Sequence, residues 1–286
     1  MTKPHVSILE RDNEYEFSLA DFRRVQQMIY AHAGIKLSDA KHDMVYSRIL
    51  RRIRATKTST FKEYLDLAQL DTNEWEAFVN SLTTNLTAFF REEYHFPILE
   101  EQMRNLPAGQ KFRIWCSAAS TGEEPYSLAI TAMRAFESWH PPVEIVATDL
   151  DTNVLSKAER GVYTSDRIDR VEQDISKYFL RGKGKNDGMI RVKPELQKLI
   201  TFKQLNLLKQ PWPIAGEFDA LFCRNVLIYF DKDTQRTVLE GFVPYMADHA
   251  MLYVGHSESL LHLSDLFKLR GKTVYEKANA RPSVRG

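Results

Sequence analysis

The sequence predicts a doubly wound α/β sheet, preceded by a small all-α domain and interrupted by a small antiparallel β insertion. Three observations carry this. From residue 112 onward, short apolar runs alternate with helix-length amphipathic stretches, the pattern of a parallel sheet covered by helices. The residues before 83 show helical spacing and no strand pattern. Gly182, Gly184 and Gly188 separate two short β-prone pieces, a hairpin signal set between the second and third sheet strands. The chain has 286 residues, 43% hydrophobic and 27% charged, ordinary for about two domains with a sizeable core.

The elements follow in order. Residues 19–32 place Phe22, Val25, Met28 and Ile29 at helical spacing, and Gly34 stops that helix. Ser38 or Asp39 is suited to cap a second helix reaching about residue 55, and residues 61–70 and 73–82 form two more. Thr83-Thr-Asn-Leu-Thr87 is rich in turn and capping residues. Residues 88–103 are expected to be another helix, bent or restarted at Pro97. Strand 112–116 then leads into a loop of small residues, Ser117 to Glu124, and Pro125 opens a helix reaching about 136. A second strand, 143–148, stops at Asp149. Further strands are expected at 200–205, 218–223, 251–254, 267–269 and 274–277, with helices at 153–160, 232–246 and 260–265. The β-prone pieces are 178–181 and 189–192. The domain plan is therefore a helical domain at 1–82, a linker at 83–98 and an α/β domain at 99–286, with the insertion at about 164–200. The polar tail from Ala278 is expected to fray.

Bulk properties exclude several classes. A net charge of +1 argues against a nucleic-acid binder. No apolar run is long enough to cross a bilayer, and Met-Thr-Lys-Pro-His-Val-Ser at the start lacks a signal core, so a cytoplasmic protein is expected. Cys116 and Cys223 end apolar strands without a CxxC partner and read as free buried thiols. The eight histidines show no ligand spacing, so no metal is expected.

In an open α/β sheet, ligands bind outside the carboxyl ends of the strands. Four successive strand ends carry polar groups: the 117–124 loop with Glu124, then Asp149, then Asn206-Leu207, then Arg224-Asn225. A carboxylate after the second strand is where ribose hydroxyls are held, which points to an adenosine cofactor. Each group also has a plainer reading. Glu124 complements a helix N-terminus, Asp149 caps the helix at 153, and Asn206 makes a turn. The loop has one glycine, which disfavours a pyrophosphate cradle and hence a nicotinamide enzyme. Arg224-Asn225 lies between two apolar runs, where polar groups need partners. In the second helix, Lys41, Arg48, Arg51, Arg52 and Arg54 fall on one side, with Asp43 as the one acid, either a solvated face or a surface for an acidic partner.

Three ordered motifs carry a resemblance: Thr83-Thr-Asn-Leu-Thr-Ala-Phe-Phe-Arg-Glu92, Ser117-Ala-Ala-Ser-Thr-Gly-Glu-Glu-Pro-Tyr-Ser127 and Phe222-Cys-Arg-Asn-Val-Leu-Ile-Tyr-Phe-Asp231. With them the chain resembles the chemotaxis-receptor glutamate methyltransferases (CheR family), from about Asp21 to Glu276. The resemblance implies a Rossmann-like domain dependent on S-adenosylmethionine, releasing S-adenosylhomocysteine and methylating glutamates of membrane chemoreceptors to γ-glutamyl methyl esters. It implies cofactor contacts at Asn85, Thr87, Arg91, Glu124, Asp149, Asn206, Leu207, Arg224 and Asn225, and roles in methyl transfer for Arg91 and Tyr229. It implies receptor contact through the basic helix and, in some members, capture of the receptor's C-terminal pentapeptide by the β-subdomain. The 181–188 loop resembles the short version found in those members. A monomer recruited to membrane receptor arrays, without insertion into lipid, is the expected state.

Overall fold

The computed structural model describes residues 15–169, 171 and 173–278, so the expectations for the first seven residues and for the tail past Ala278 lie outside the described residues. The chain separates into two compact units, one holding the residues up to His32 with Lys36–Thr83, the other Ala33–Ile35 with the residues from Thr84 onward.

The first unit is helical: α1 (Leu19–Ala33), α2 (His42–Thr56), α3 (Phe61–Leu70) and α4 (Thr72–Leu82). Its core is the apolar stripe that helical spacing demands, with Phe22, Val25 and Ile29 of α1 and Val45, Ile49 and Ile53 of α2 fully or nearly fully buried. A 3₁₀ turn, Asp39–Lys41, precedes α2, and the Ser38 hydroxyl makes no capping bond there. Thr60 and Asp71 cap α3 and α4 through Glu63 N–H and through Asn73 and Glu74 N–H.

The second unit begins with an irregular stretch and α5 (His95–Arg104). The helix expected over 88–103 is thus shorter by its first seven positions. Phe90 and Glu92 hold φ of 52° and 54°, a region closed to helices. The Phe90 N–H goes to Ser127 Oγ instead, and the Arg91 carbonyl accepts from Arg224. Pro97 falls in the first turn of α5, where no N–H is missed.

Next come β1 (Phe112–Cys116), α6 (Glu123–Ala135), β2 (Val143–Asp149) and α7 (Thr152–Arg160). The insertion holds β3 (Val162–Thr164), β4 (Phe179–Arg181) and β5 (Met189–Val192), an antiparallel sheet in the order β3-β5-β4. The three-residue β3 is too short to show an alternation in the sequence and was not expected. The chain then forms α8 (Pro194–Gln197), β6 (Ile200–Gln204), β7 (Phe218–Cys223), α9 (Lys232–Phe242), β8 (Met246–Val254), β9 (Phe267–Gly271) and β10 (Val274–Lys277). Helix α9 ends earlier than expected because Pro244 disfavours helix at the residue before it; a 3₁₀ turn, Val243–Tyr245, follows and β8 starts directly. The helix expected at 260–265 is a single 3₁₀ turn, Leu261–Leu263.

The main sheet is Rossmann-like and doubly wound, in the order β6-β2-β1-β7-β8-β10-β9. Its first five strands are parallel, and β10 runs antiparallel to both β8 and β9. Cys116 lies opposite Ala147 on one side and Phe222 on the other, so β1, β2 and β7 end level. The chain winds outward from β1 to β2 and β6, then returns to place β7 on the other flank of β1. That reversal opens a crevice at the carboxyl ends of these strands. Alternate residues feed the two faces. Ile114, Ala147 and Phe222 enter one core with α6, and Trp115, Leu221 and Val254 enter the other with α9.

Candidate active site

The loop after β1 is spliced to both neighbouring strand ends. Ser117 N–H and its hydroxyl reach the Phe222 carbonyl at 2.8 and 3.0 Å, and Ala119 N–H reaches Thr148 O at 2.8 Å. Gly122 adopts φ +100°, and a Cβ there would lie 2.7 Å from the Tyr163 hydroxyl and 2.9 Å from Ala158, so the single glycine of the loop serves close packing.

Asp149 sits half-buried at the end of β2. One carboxylate oxygen accepts Ser120 N–H at 2.8 Å and the other accepts Asp151 N–H at 3.0 Å. Burial pushes its carboxyl up to about 6 against these two amides. A carboxylate offers about four lone-pair sites, so acceptor capacity remains for two hydroxyl donors, which fits a ribose diol. The capping role considered for Asp149 belongs to Asp151, whose side chain accepts Asn153 and Val154 N–H. Asn85 donates to Asp151 at 2.8 Å, and its carbonyl accepts from Ser120 at 3.0 Å. The 83–87 motif is thereby tied to the ends of β1 and β2.

A second cluster forms where β7 ends. Arg224 is buried, with side-chain exposure of 1%. Its fork meets Glu124 at 2.5 Å, Glu92 at 3.2 Å and the carbonyl of Arg91. Its Nε is a buried donor that no protein group among the described residues uses. Glu124 also accepts from the Cys116 thiol at 3.2 Å. Burial disfavours the Glu92 charge, but the His256 backbone, Arg224 and Asn225 together hold its carboxyl below the usual range. His95 stays neutral near pH 7: burial, then the charge of Arg224, lowers it to about 4. Burial raises both cysteine thiols well above normal, so Cys116 and Cys223 are free, buried and inert.

Asn225 takes φ 58° and donates its amide to Glu92 at 3.2 Å. The loop it opens is held by Glu258, which sequence reasoning missed. This buried carboxylate accepts N–H from Asn225 at 2.8 Å, Leu227 at 2.7 Å, Ile228 at 3.3 Å and Gly255 at 2.5 Å. It thus fixes the 3₁₀ turn Leu227–Tyr229 that carries Tyr229. A Cβ on Gly255 would lie 2.5 Å from the Asn225 amide and 2.6 Å from Glu258.

Arg91 and Tyr229 keep polar groups available among the described residues. Arg91 donates to Leu86 O at 2.8 Å, and its guanidinium has no acidic partner among the described residues. The half-buried Tyr229 makes no hydroxyl hydrogen bond among them. Thr87 offers its carbonyl to Arg167, which also pairs with Glu123, a residue 1% exposed. After β6, Asn206 accepts Leu208 N–H at 2.9 Å in the turn reading considered for it, and Leu207 is buried. Leu205 N–H bonds the Asp149 carbonyl at 2.9 Å, which sets that loop beside the β2 end. Of the sequence-predicted residues, Asn85 and Asp149 are joined in the first cluster and Arg91, Glu124, Arg224 and Asn225 in the second, while Tyr229 follows on the loop that Asn225 opens.

In the first unit the five basic residues separate into two kinds. Arg52 makes a two-point pair with Glu74 at 2.9 and 2.6 Å, and Tyr64 donates to the same carboxylate at 2.8 Å. Arg48 donates to the carbonyls of Ser81 and Thr83 at 3.2 and 2.6 Å. Lys41, Arg51 and Arg54 are exposed, with Lys41 in the 3₁₀ turn rather than the helix. The uniform basic face is therefore partly a brace between α2 and α4.

Comparison with known proteins matches residues 20–83 to the model described as "CheR methyltransferase, all-alpha domain" and residues 85–276 to "CheR methyltransferase, SAM binding domain". The chain is 47% identical to chemotaxis protein methyltransferase 2 of Pseudomonas aeruginosa, over 93% of this chain and 96% of that one. It is 45% identical to the chemotaxis protein methyltransferase of Escherichia coli, over 94% of both chains, and 46% identical to that of Salmonella typhimurium, over 94% and 93%.

Proposed function

The chain belongs to the CheR methyltransferase family and is an S-adenosylmethionine-dependent methyltransferase of chemotaxis, and from that premise we propose that its acceptors are glutamate carboxylates of membrane chemoreceptors, yielding glutamyl methyl esters. The observation that supports this most is the Arg91 fork, fixed through its own backbone carbonyl by Arg224 yet left without an acidic partner among the described residues. A planar fork of this kind suits two-point recognition of a carboxylate.

S-adenosylmethionine, when bound, supplies a methyl group already activated by its sulfonium. The protein's share is placement. Asp149 accepts the ribose hydroxyls, while Asn85, Thr87, Glu124, Asn206, Leu207, Arg224 and Asn225 line the remaining cofactor surface. A glutamate is ionised at neutral pH, so no strong base is required. Arg91 orients one acceptor oxygen and leaves the other facing the methyl. Tyr229 directs its free hydroxyl to the acceptor carboxylate or borders the methyl path. Placement of two reactants in this way is worth up to about 7–11 kcal/mol of barrier.

The division into residues 1–82, 83–98 and 99–286 is read as receptor-facing helical domain, linker and catalytic domain. Lys41, Arg51 and Arg54 supply exposed charge for an acidic receptor surface, with Arg48 and Arg52 holding the helix in place. The β3-β5-β4 sheet takes the receptor's terminal pentapeptide. The enzyme acts as a monomer in the cytoplasm, recruited to receptor arrays; no helix of the described residues is long and apolar enough to cross a membrane. Incubation with methyl-labelled cofactor and receptor-containing membranes is expected to leave base-labile label on receptor protein. Label that survives base, or that appears on RNA, contradicts the assignment.

A further inference from the structure

A cleft of about 310 Å³ opens beside β3, outside the strand-end cluster, lined by Thr121, Glu123, Lys157, Arg160, Tyr163 and Arg167 among others. Its charges do not balance. Glu123 is buried and already bonded to Arg167 and to the Thr121 hydroxyl. Lys157 and Arg160, one turn apart on α7, are exposed and have no side-chain partner among the described residues. Two cations thus face a cavity whose carboxylate is spent, which favours an anionic occupant.

The position narrows the occupant. Arg167 also bonds the Thr87 carbonyl at 3.2 Å. Arg91 follows Thr87 by four residues, so the Cα atoms of Thr87 and Arg91 are at most about 14 Å apart. An acidic protein segment presenting one carboxylate to Arg91 can lay a neighbouring one in this cleft. We propose that the cleft, at the β3 side of the insertion, binds a second carboxylate of the methyl-accepting segment. This rests on the receptor-glutamate reading above. The cleft then sets which glutamates are modified, because only those with a suitably spaced acidic neighbour gain its two free cations.

The test is calorimetric binding of a purified chemoreceptor cytoplasmic fragment, truncated before its terminal pentapeptide, to the full chain loaded with S-adenosylhomocysteine. Lys157→Glu with Arg160→Glu is expected to weaken the fragment roughly tenfold, an effect that fades at high salt. Affinity for S-adenosylhomocysteine stays at its wild-type value and certifies the fold. Lys157→Arg with Arg160→Lys, which keeps both charges, stays within about twofold. Unchanged fragment affinity in the charge reversal overturns the proposal, as does equal loss in the charge-preserving pair or displacement of the fragment by an RNA oligonucleotide. A wild-type chain that binds the fragment through these residues but transfers no base-labile methyl sinks the acceptor assignment and leaves the cleft standing. A wild-type chain that does not bind the fragment sinks the cleft.

Discussion

The strand-end cluster of the second unit and helix α2 of the first both set arginines against glutamates, with opposite consequences. Arg52 is 30% exposed where it pairs with the buried Glu74. Arg224 is 1% exposed and stands between two carboxylates. Water can therefore solvate Arg52 when its carboxylate is lost, but not Arg224. The buried cluster therefore behaves as one unit that fixes the Arg91 backbone, whereas the helix can vary its outer charges with little penalty. The difference shows how a site leaves one arginine available: another is committed to holding it.

The largest effect that sharpens this contrast is expected from Arg224→Leu. It leaves the buried Glu124 and the half-buried Glu92 without their cation, at a cost of about 3–5 kcal/mol. At about 2–4 °C per kcal/mol, calorimetry should show the melting temperature falling by roughly 6–20 °C. The sign with pH is fixed by Glu92. Its carboxyl is lowered in the folded state, so its stabilisation is present above the ordinary glutamate value and lost as pH falls through the lowered one. The deficit of Arg224→Leu should thus narrow on acidification. A deficit independent of pH breaks the comparison.

Asp149→Asn comes next. The Asp149 carboxyl is raised to about 6, so the folded state favours its protonated form, and that contribution to stability is lost as pH rises through about 6. The variant should bind S-adenosylhomocysteine more weakly, and its melting temperature relative to wild type should be highest near pH 8 and fall as pH drops below about 6, where protonation stabilises the wild type alone. Wild-type affinity should decline below about pH 6 as the acceptor is protonated, and the variant should lose that dependence. Titration calorimetry across pH checks both.

The smallest effect is expected on α2. Lys41→Glu with Arg51→Glu should change stability by no more than about 0.5 kcal/mol per site and raise the receptor KM several-fold, with cofactor affinity intact. Arg52→Ala should instead act on melting temperature through Glu74. If both variants behave alike, the division of these basic residues into brace and exposed charge is wrong.

Much of this was legible in the sequence. Strands β1, β7 and β10 were bounded to the residue, because apolar runs flanked by turn residues leave little choice. The four strand-end groups converged as the parallel topology requires. What escaped depends on distant partners. Phe90 and Glu92 look helical until Ser127, Arg224 and Asn225 take their hydrogen-bonding groups. Asp151 displaced Asp149 as cap through a shift of two positions. Glu258 sits in a short polar run and is recognisable only by the four amides it gathers. The same strand-end rule extended to the fifth parallel strand, β8, reaches Gly255-His-Ser-Glu258 and supplies the missing signal.

The central claim is that Arg91 places an acceptor carboxylate and does not hold the fold together. Single-turnover methyl transfer to receptor by Arg91→Ala, at saturating cofactor, tests it most directly. The rate should drop about 100-fold, with S-adenosylhomocysteine affinity and melting temperature close to wild type. A rate within about twofold of wild type, or a loss accounted for entirely by weaker cofactor binding, contradicts it.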